Sequence, residues 1–196
     1  MIHPDTELKF IDDEIGHGVV AKKLIPAGTI IWTLDKLDRE LTPEEFYGLD
    51  PVCRPFVENH TFRNRKGNFI LCWDIGKYIN HSFKPNCMAT AYNFEIAIRD
   101  IQAGEQLTDD YGFLNILEPF RASDEGTERK VVYPDDLVRF HQQWDKQVEQ
   151  VFSKITEVTQ PLKPIVSNEI WEKIEMITAG KILLDSILNN YYQKAQ

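Results

Sequence analysis

The hydrophobic pattern of this chain changes period once, near residue 135. Before that point apolar residues come in short, β-branched runs separated by turn signals. Val19-Val20-Ala21 and Thr29-Ile30-Ile31-Trp32-Thr33 read as strands, and Pro26-Ala27-Gly28 between them reads as a turn. Residues 8–34 therefore predict strand, turn, strand. Residues 68–73, 88–92 and 95–99 predict further strands, the last two joined by a bend at Tyr92-Asn93, and residues 106–111 predict one more short strand. Residues 43–60 predict a helix, because Thr42 can cap it, Pro43 suits its first turn, and Glu44 and Glu45 favour its positive end. Residues 112–134 look irregular. They hold the polar cluster Ser123-Asp124-Glu125-Gly126-Thr127-Glu128-Arg129-Lys130, which has the composition of a mobile loop.

From Asp135 onward Leu137, Phe140, Trp144, Val148, Val151, Phe152 and Ile155 fall at helical spacing, with Pro134 and Asp135 marking the start. Gln160-Pro161-Leu162-Lys163-Pro164 breaks this helix. A second helix is predicted over residues 168–192 through Ile170, Ile174, Ile177, Leu184 and Leu188, with Gly180 as a kink or an interruption. The expected organisation is a β-rich body over residues 1–120, an irregular segment over 121–134 and a helical region over 135–196. No internal repeat is present.

Composition narrows the picture further. The chain has 196 residues, 42% of them hydrophobic and 11% aromatic, enough for a packed core and against disorder. No apolar run approaches the roughly 20 residues a membrane helix needs. The first residues carry no charged-then-apolar export pattern, so an intracellular, cytoplasmic location is the default, with the nucleus open. Three cysteines, Cys53, Cys72 and Cys87, are widely spaced and form no C-x-x-C pair, which argues against a disulfide framework and a cysteine-built zinc site. Net charge is −9. An acidic body repels phosphate backbones, so direct nucleic-acid binding is disfavoured, and it attracts a basic protein or peptide. Plain solubility explains the charge as well.

Two short segments carry the candidate chemistry. One is Tyr78-Ile79-Asn80-His81-Ser82-Phe83-Lys84-Pro85-Asn86 and the other is Gly104-Glu105-Gln106-Leu107-Thr108-Asp109-Asp110-Tyr111-Gly112. Alone, the first reads as a turn rich in side-chain-to-backbone bonds and the second as a strand end with an aromatic. Together they resemble the R-F-x-N-H-S-C-x-P-N and G-E-E-L-x-x-D-Y signatures of SET-domain lysine methyltransferases. Gly16-His17-Gly18-Val19-Val20-Ala21, followed by Ile25-Pro26-Ala27-Gly28-Thr29-Ile30-Ile31, resembles that family's opening hairpin. All three occur in the family's order, over roughly residues 8–120.

The resemblance implies a mostly β, SET-type fold of several small sheets with a threaded, pseudoknot-like segment, here followed by a C-terminal α-helical hairpin. It implies S-adenosylmethionine as cofactor and methyl transfer to the ε-amine of a lysine in a protein or peptide, leaving S-adenosylhomocysteine. Asn80 would bind the amino-acid end of the cofactor, His81 the adenine through backbone groups, and His17 and Gly18 would close over the methionine portion. Tyr111 matches the active-site tyrosine. Phe120 lies where relatives place an aromatic against adenine, although a core contact is the alternative.

The chain departs from the family in two ways that matter. Many relatives carry a zinc site built from post-motif cysteines and the cysteine of N-H-S-C. Here that last position is Phe83, and residues 118–126 contain no cysteine, so a zinc-free variant with no metal is expected. The C-terminal helices are the natural candidates to hold this segment instead, and they could equally form a homodimer interface. The second departure is Asp109, where many relatives have Phe or Tyr. In an extended strand it faces the same side as Tyr111. A carboxylate there would favour the ammonium over the amine, so Asp109 points away, captures the charge before transfer, or disables the channel. The last case leaves a rival reading, a catalytically inactive SET-like module that binds a basic partner.

Overall fold

The computed structural model describes residues 1–193. The chain forms β1 (Thr6–Asp12), β2 (Gly16–Ala21), β3 (Ile30–Thr33), β4 (Arg39–Leu41), α1 (Pro43–Tyr47), α2 (Arg54–Asn59), β5 (Thr61–Arg63) and β6 (Phe69–Leu71). There follow β7 (Asn80–His81), β8 (Cys87–Ala89), β9 (Phe94–Ala97), β10 (Thr108–Asp109), β11 (Phe120–Arg121), β12 (Val131–Val132), α3 (Asp136–Phe152) and α4 (Asn168–Thr178). The strands make small sheets: two three-stranded ones, β3-β9-β8 and β4-β6-β5, and the pairs β1-β2, β7-β10 and β11-β12. This is a SET-type arrangement of small sheets with helices at the C-terminal end.

The β1-β2 hairpin sets Phe10 opposite His17 and Lys9 opposite Gly18. At the next turn Gly28 sits at φ 91°, a value that favours glycine, and its amide donates to Ala97 O at 2.8 Å. The bend between β8 and β9 turns on Asn93 at φ 58°. Strand β9 is the middle strand of its sheet and is buried along its whole length. Helix α3 lays Leu137, Trp144, Val148, Val151 and Phe152 on Ile30, Met88, Phe94 and Ile96, so the helical tail and this sheet share one core. Burying one such side chain contributes about 1.5–3 kcal/mol.

Three expectations are corrected. The predicted helix over 43–60 is two short helices. Thr42 caps the first in a reciprocal box with Glu45, but Gly48 ends it, and Pro51 lies in the turn before α2. The second C-terminal helix ends at Thr178 instead of near 192. Gly180 takes φ 68°, and only a 3-10 turn over Ile187–Asn190 follows. The helical hairpin is correspondingly loose: α4 packs on the 3-10 turn Ser153–Thr156 after α3, while the 187–190 turn packs on α3 itself. Finally, residues 112–134 are not wholly irregular, because β11 and β12 pair antiparallel within them.

Candidate active site

The two motif segments lie side by side. Thr108 pairs with Asn80 and Asp109 with His81 in the parallel β7-β10 ladder, and Ser82 N donates to Asp109 O at 2.8 Å. Asn86 extends the pairing: its Nδ2 donates to Gln106 O at 2.8 Å and its Oδ1 accepts from Thr108 N at 2.9 Å. The buried Asn86 thereby satisfies backbone that so short a ladder leaves unpaired.

Tyr111 opens a 3-10 turn (Tyr111–Phe113) whose start is capped by Asp110, with Gly112 N donating to Asp110 Oδ1 at 3.0 Å. The Tyr111 amide donates to His81 Nδ1 at 3.1 Å, and its phenol donates to Ile79 O at 2.9 Å. Burial, and then the nearby Asp109 carboxyl, push the phenol's pKa up, so it stays protonated. Because His81 Nδ1 accepts, the neutral ring carries its proton on Nε2. Burial lowers the His81 pKa to about 4, so the ring is neutral at physiological pH. Nε2 is enclosed and has no hydrogen-bond partner among the described residues. The rings of Tyr111, Phe83 and Phe120 lie 5.3, 4.4 and 5.6 Å from His81.

The opening hairpin meets the same place. Asn80 Nδ2 donates to His17 O at 3.0 Å and to Gln106 Oε1 at 2.6 Å. Gly18 is glycine for a reason of space: a Cβ there would fall 2.3 Å from Gln106 Oε1 and 2.8 Å from Asn80 Nδ2. All six residues singled out from sequence therefore gather in two linked groups. His17, Gly18 and Asn80 meet directly, and His81, Tyr111 and Phe120 form one aromatic cluster. Phe120 keeps 42% of its surface exposed, so its ring is open to a neighbour and is not a plain core contact.

Beside the cluster lies a cavity of about 320 Å3. Trp32, Phe62, Ile79, Asp109 and Tyr111 are among its lining residues, and so is Glu95. Asp109 thus lines the same cavity as Tyr111, with its Oδ1 enclosed and without a hydrogen-bond partner among the described residues. His60, given no role from sequence, lines the cavity too, stacked on Phe56 at 4.2 Å and edge-on to Tyr78 at 5.0 Å.

The polar cluster over 123–130 is tied down. Glu125 Oε2 accepts from Ser82 Oγ at 3.0 Å and from Phe83 N at 2.8 Å, while Lys84 Nζ donates to Glu125 O at 2.8 Å. Arg129 bridges the buried carboxylates of Asp110 and Asp136, and lies over the rings of Phe83, Phe140 and Trp144 at 4.7, 4.3 and 5.8 Å. Among the described residues no group of His, Cys, Asp and Glu is placed to hold a metal ion. Sequence reasoning missed Gln106, Glu125 and Arg129. Arg129 stood beside acidic residues in a segment without period, and nothing local distinguished it from a solvated charge.

No curated protein matches the chain. The family model for the SET domain matches residues 16–112, from the first glycine of the opening hairpin to the glycine after Tyr111. That span contains both paired segments and the hairpin that meets them, and the family is in general one of protein-lysine methyltransferases. The chain is a SET-domain protein.

Proposed function

We propose that this chain is a protein-lysine N-methyltransferase that uses S-adenosylmethionine, with Tyr111 at the reacting amine. The observation that carries the reading is the β7-β10 pairing, which joins Tyr111 to His81 and sets both beside the cavity that holds Asp109. The residues present suit the cofactor. Gly18 leaves backbone free of a side chain where His17 and Asn80 meet, and His81 offers a buried, unpartnered N–H beside the partly open ring of Phe120. His17, Gly18, Asn80, His81 and Phe120 would hold it. When bound, the cofactor supplies a methyl group already activated on a sulfonium.

What remains for the protein is to present a neutral amine in line. A free lysine has a pKa of about 10.4, so neutralising it near pH 7.4 costs about 4 kcal/mol. The apolar wall of Trp32, Phe62 and Ile79 disfavours the ammonium and lowers that cost. The Tyr111 hydroxyl spends its only proton on Ile79 O, so its oxygen lone pairs are left to accept an N–H from the amine and fix the direction of the nitrogen lone pair. A basic protein or peptide is the substrate class that suits the chain's net charge of −9.

The test is calorimetric titration of the EDTA-treated protein with S-adenosylmethionine, followed by transfer of labelled methyl to basic proteins. One-to-one micromolar binding with label on lysine is the expected result. No binding at millimolar cofactor would refute the reading and leave the rival, a peptide-binding module without transfer.

A further inference from the structure

Asp109 and Glu95 reach the cavity from different strands. Asp109 ends β10, and Glu95 lies in the middle of β9, opposite Trp32 on one side and Ala89 on the other. They are 4% and 9% exposed, and they line the cavity together with Tyr111. Each carboxyl lies close enough to the other to affect its proton affinity. Asp109 Oδ1 has no hydrogen-bond partner among the described residues. Among those residues, neither acid forms a salt bridge with a lysine or arginine.

Such a pair is expensive to build. Two buried acids without a cation cost folding energy, and apolar residues of similar volume would be easier to accommodate. Burial, and then repulsion from Glu95, hold the Asp109 pKa well above the usual carboxylate range, while burial alone raises that of Glu95 to about 7 against the opposing contact with Asp109. The two acids titrate as a pair, and both hold their protons to higher pH than ordinary carboxyls do. Two buried acids that form no ion pair and line one cavity with Tyr111 suit a basic ligand rather than a structural contact, although Arg63 and Lys77 line the same cavity.

We propose that Glu95 and Asp109 form the receptor for the primary ammonium of the substrate side chain, and that the pair takes the proton which must leave before transfer. The inference rests on the lysine-methyltransferase reading for the transfer itself, though not for amine binding. The ammonium enters the cavity and pairs with the Glu95 carboxylate. One N–H bond breaks and one O–H bond forms on Glu95, leaving a neutral amine beside Tyr111 and an uncharged pair of acids. In a dry cavity the separated charges are disfavoured relative to the two neutral partners, which eases this step. The nitrogen lone pair then forms the N–C bond as the methyl–sulfur bond breaks, its electron pair leaving on sulfur. The methylated ammonium departs, and Glu95 returns its proton to water. Asp109 thereby becomes the partner that supports Glu95 as it takes the incoming charge, instead of a residue that disables the channel.

The test uses the whole chain without cofactor and n-butylamine as the probe for the end of a lysine side chain. 1-Butanol, similar in size and uncharged, is the control. The expected result is saturable amine binding that weakens at least tenfold in Asp109→Asn and in Glu95→Gln, with 1-butanol affinity changed less than twofold. If either variant fails to fold, carbon-13 spectra of the wild type labelled at Asp and Glu carboxyls decide. The Glu95 and Asp109 signals should shift with the amine and not with the alcohol. Folded variants that bind the amine as tightly as wild type, or carboxyl signals that ignore it, would overturn the inference. A parallel titration with S-adenosylmethionine separates the two readings. Amine binding through the pair without cofactor binding sinks methyl transfer alone, and cofactor binding with an amine indifferent to the pair sinks this inference alone.

Discussion

Replacing Arg129 by Met should destabilise the protein more than any other single change in the segment after the motifs. The side chain is 21% exposed, whereas the Asp110 and Asp136 carboxylates it bridges are 2% and 1% exposed. Met keeps much of the volume and the contact with Phe83, Phe140 and Trp144, but strands two buried carboxylates. Removing one partner of a buried pair costs about 3–5 kcal/mol. The loss should depend on pH. The Asp110 pKa already sits above the ordinary carboxylate value because burial outweighs the help from Arg129, and without the guanidinium it should rise further. An acid with a raised folded-state pKa binds its proton more tightly when folded. The penalty is therefore absent below the unfolded value near 4, grows as pH rises toward the folded value, and is complete above it. Urea unfolding of wild type and Arg129→Met at pH 5 and 7.5 reads this directly. The expected gap is about 3–5 kcal/mol at pH 7.5 and smaller at pH 5. A gap below about 1 kcal/mol at pH 7.5, or one that widens on acidification, would refute the reasoning. Arg129→Lys should fall between, since one ammonium cannot reproduce a two-pronged bridge.

Other outcomes follow from the same geometry. Tyr111→Phe should cut methyl transfer by orders of magnitude in a labelled-methyl assay while calorimetry shows cofactor affinity nearly unchanged. Gly18→Ala should weaken cofactor binding at least tenfold by the same calorimetry, because the new methyl would displace Gln106 and Asn80, which a Cβ would meet at 2.3 and 2.8 Å. Glu125→Gln should cost about 1–3 kcal/mol in urea unfolding by weakening the acceptor of Ser82 Oγ and Phe83 N. His81, with a folded-state pKa of about 4 against 6.5, is neutral when the unfolded chain would protonate it. It therefore contributes stability that is present above pH 6.5 and lost as pH falls toward 4, up to roughly 3 kcal/mol in a comparison with His81→Asn.

The legible part of this protein was the part written in local signals. Gly16, Gly18, Asn80, His81 and Tyr111 sit in short motifs, and the pairing of β7 with β10 brings the two main motifs into register. Asp109 was conspicuous because a carboxylate replaced an aromatic, but its direction depended on a long-range ladder. Glu95 was invisible for a different reason. In Phe94-Glu95-Ile96-Ala97 alternation gives Glu95 an ordinary polar face, and only the covering of β9 on both sides makes that face interior. Glu125 and Arg129 were hidden because their partners in the motif segments, Asp110, Ser82 and Phe83, lie 19 to 43 residues away. A polar run with no period carries no trace of such partners, so composition suggested mobility where side-chain bonds tie the segment down.

The acidic character of the chain acts at two ranges, and salt separates them. The net charge of −9 is spread over an exposed surface, where the Debye length of about 8 Å at physiological ionic strength limits it to speeding encounter with a basic partner. Glu95 and Asp109 are enclosed and scarcely screened, so their attraction for an ammonium should survive salt that abolishes steering. Raising salt from 50 to 500 mM should therefore slow association of a basic peptide while leaving n-butylamine affinity within about twofold, since a small monocation gains little from steering. If amine affinity instead falls in step with the peptide's association rate, the amine is held by surface charge and not in the cavity. The acidity would then speak only of encounter, and Tyr111 would face a cavity whose carboxyls take no part in binding.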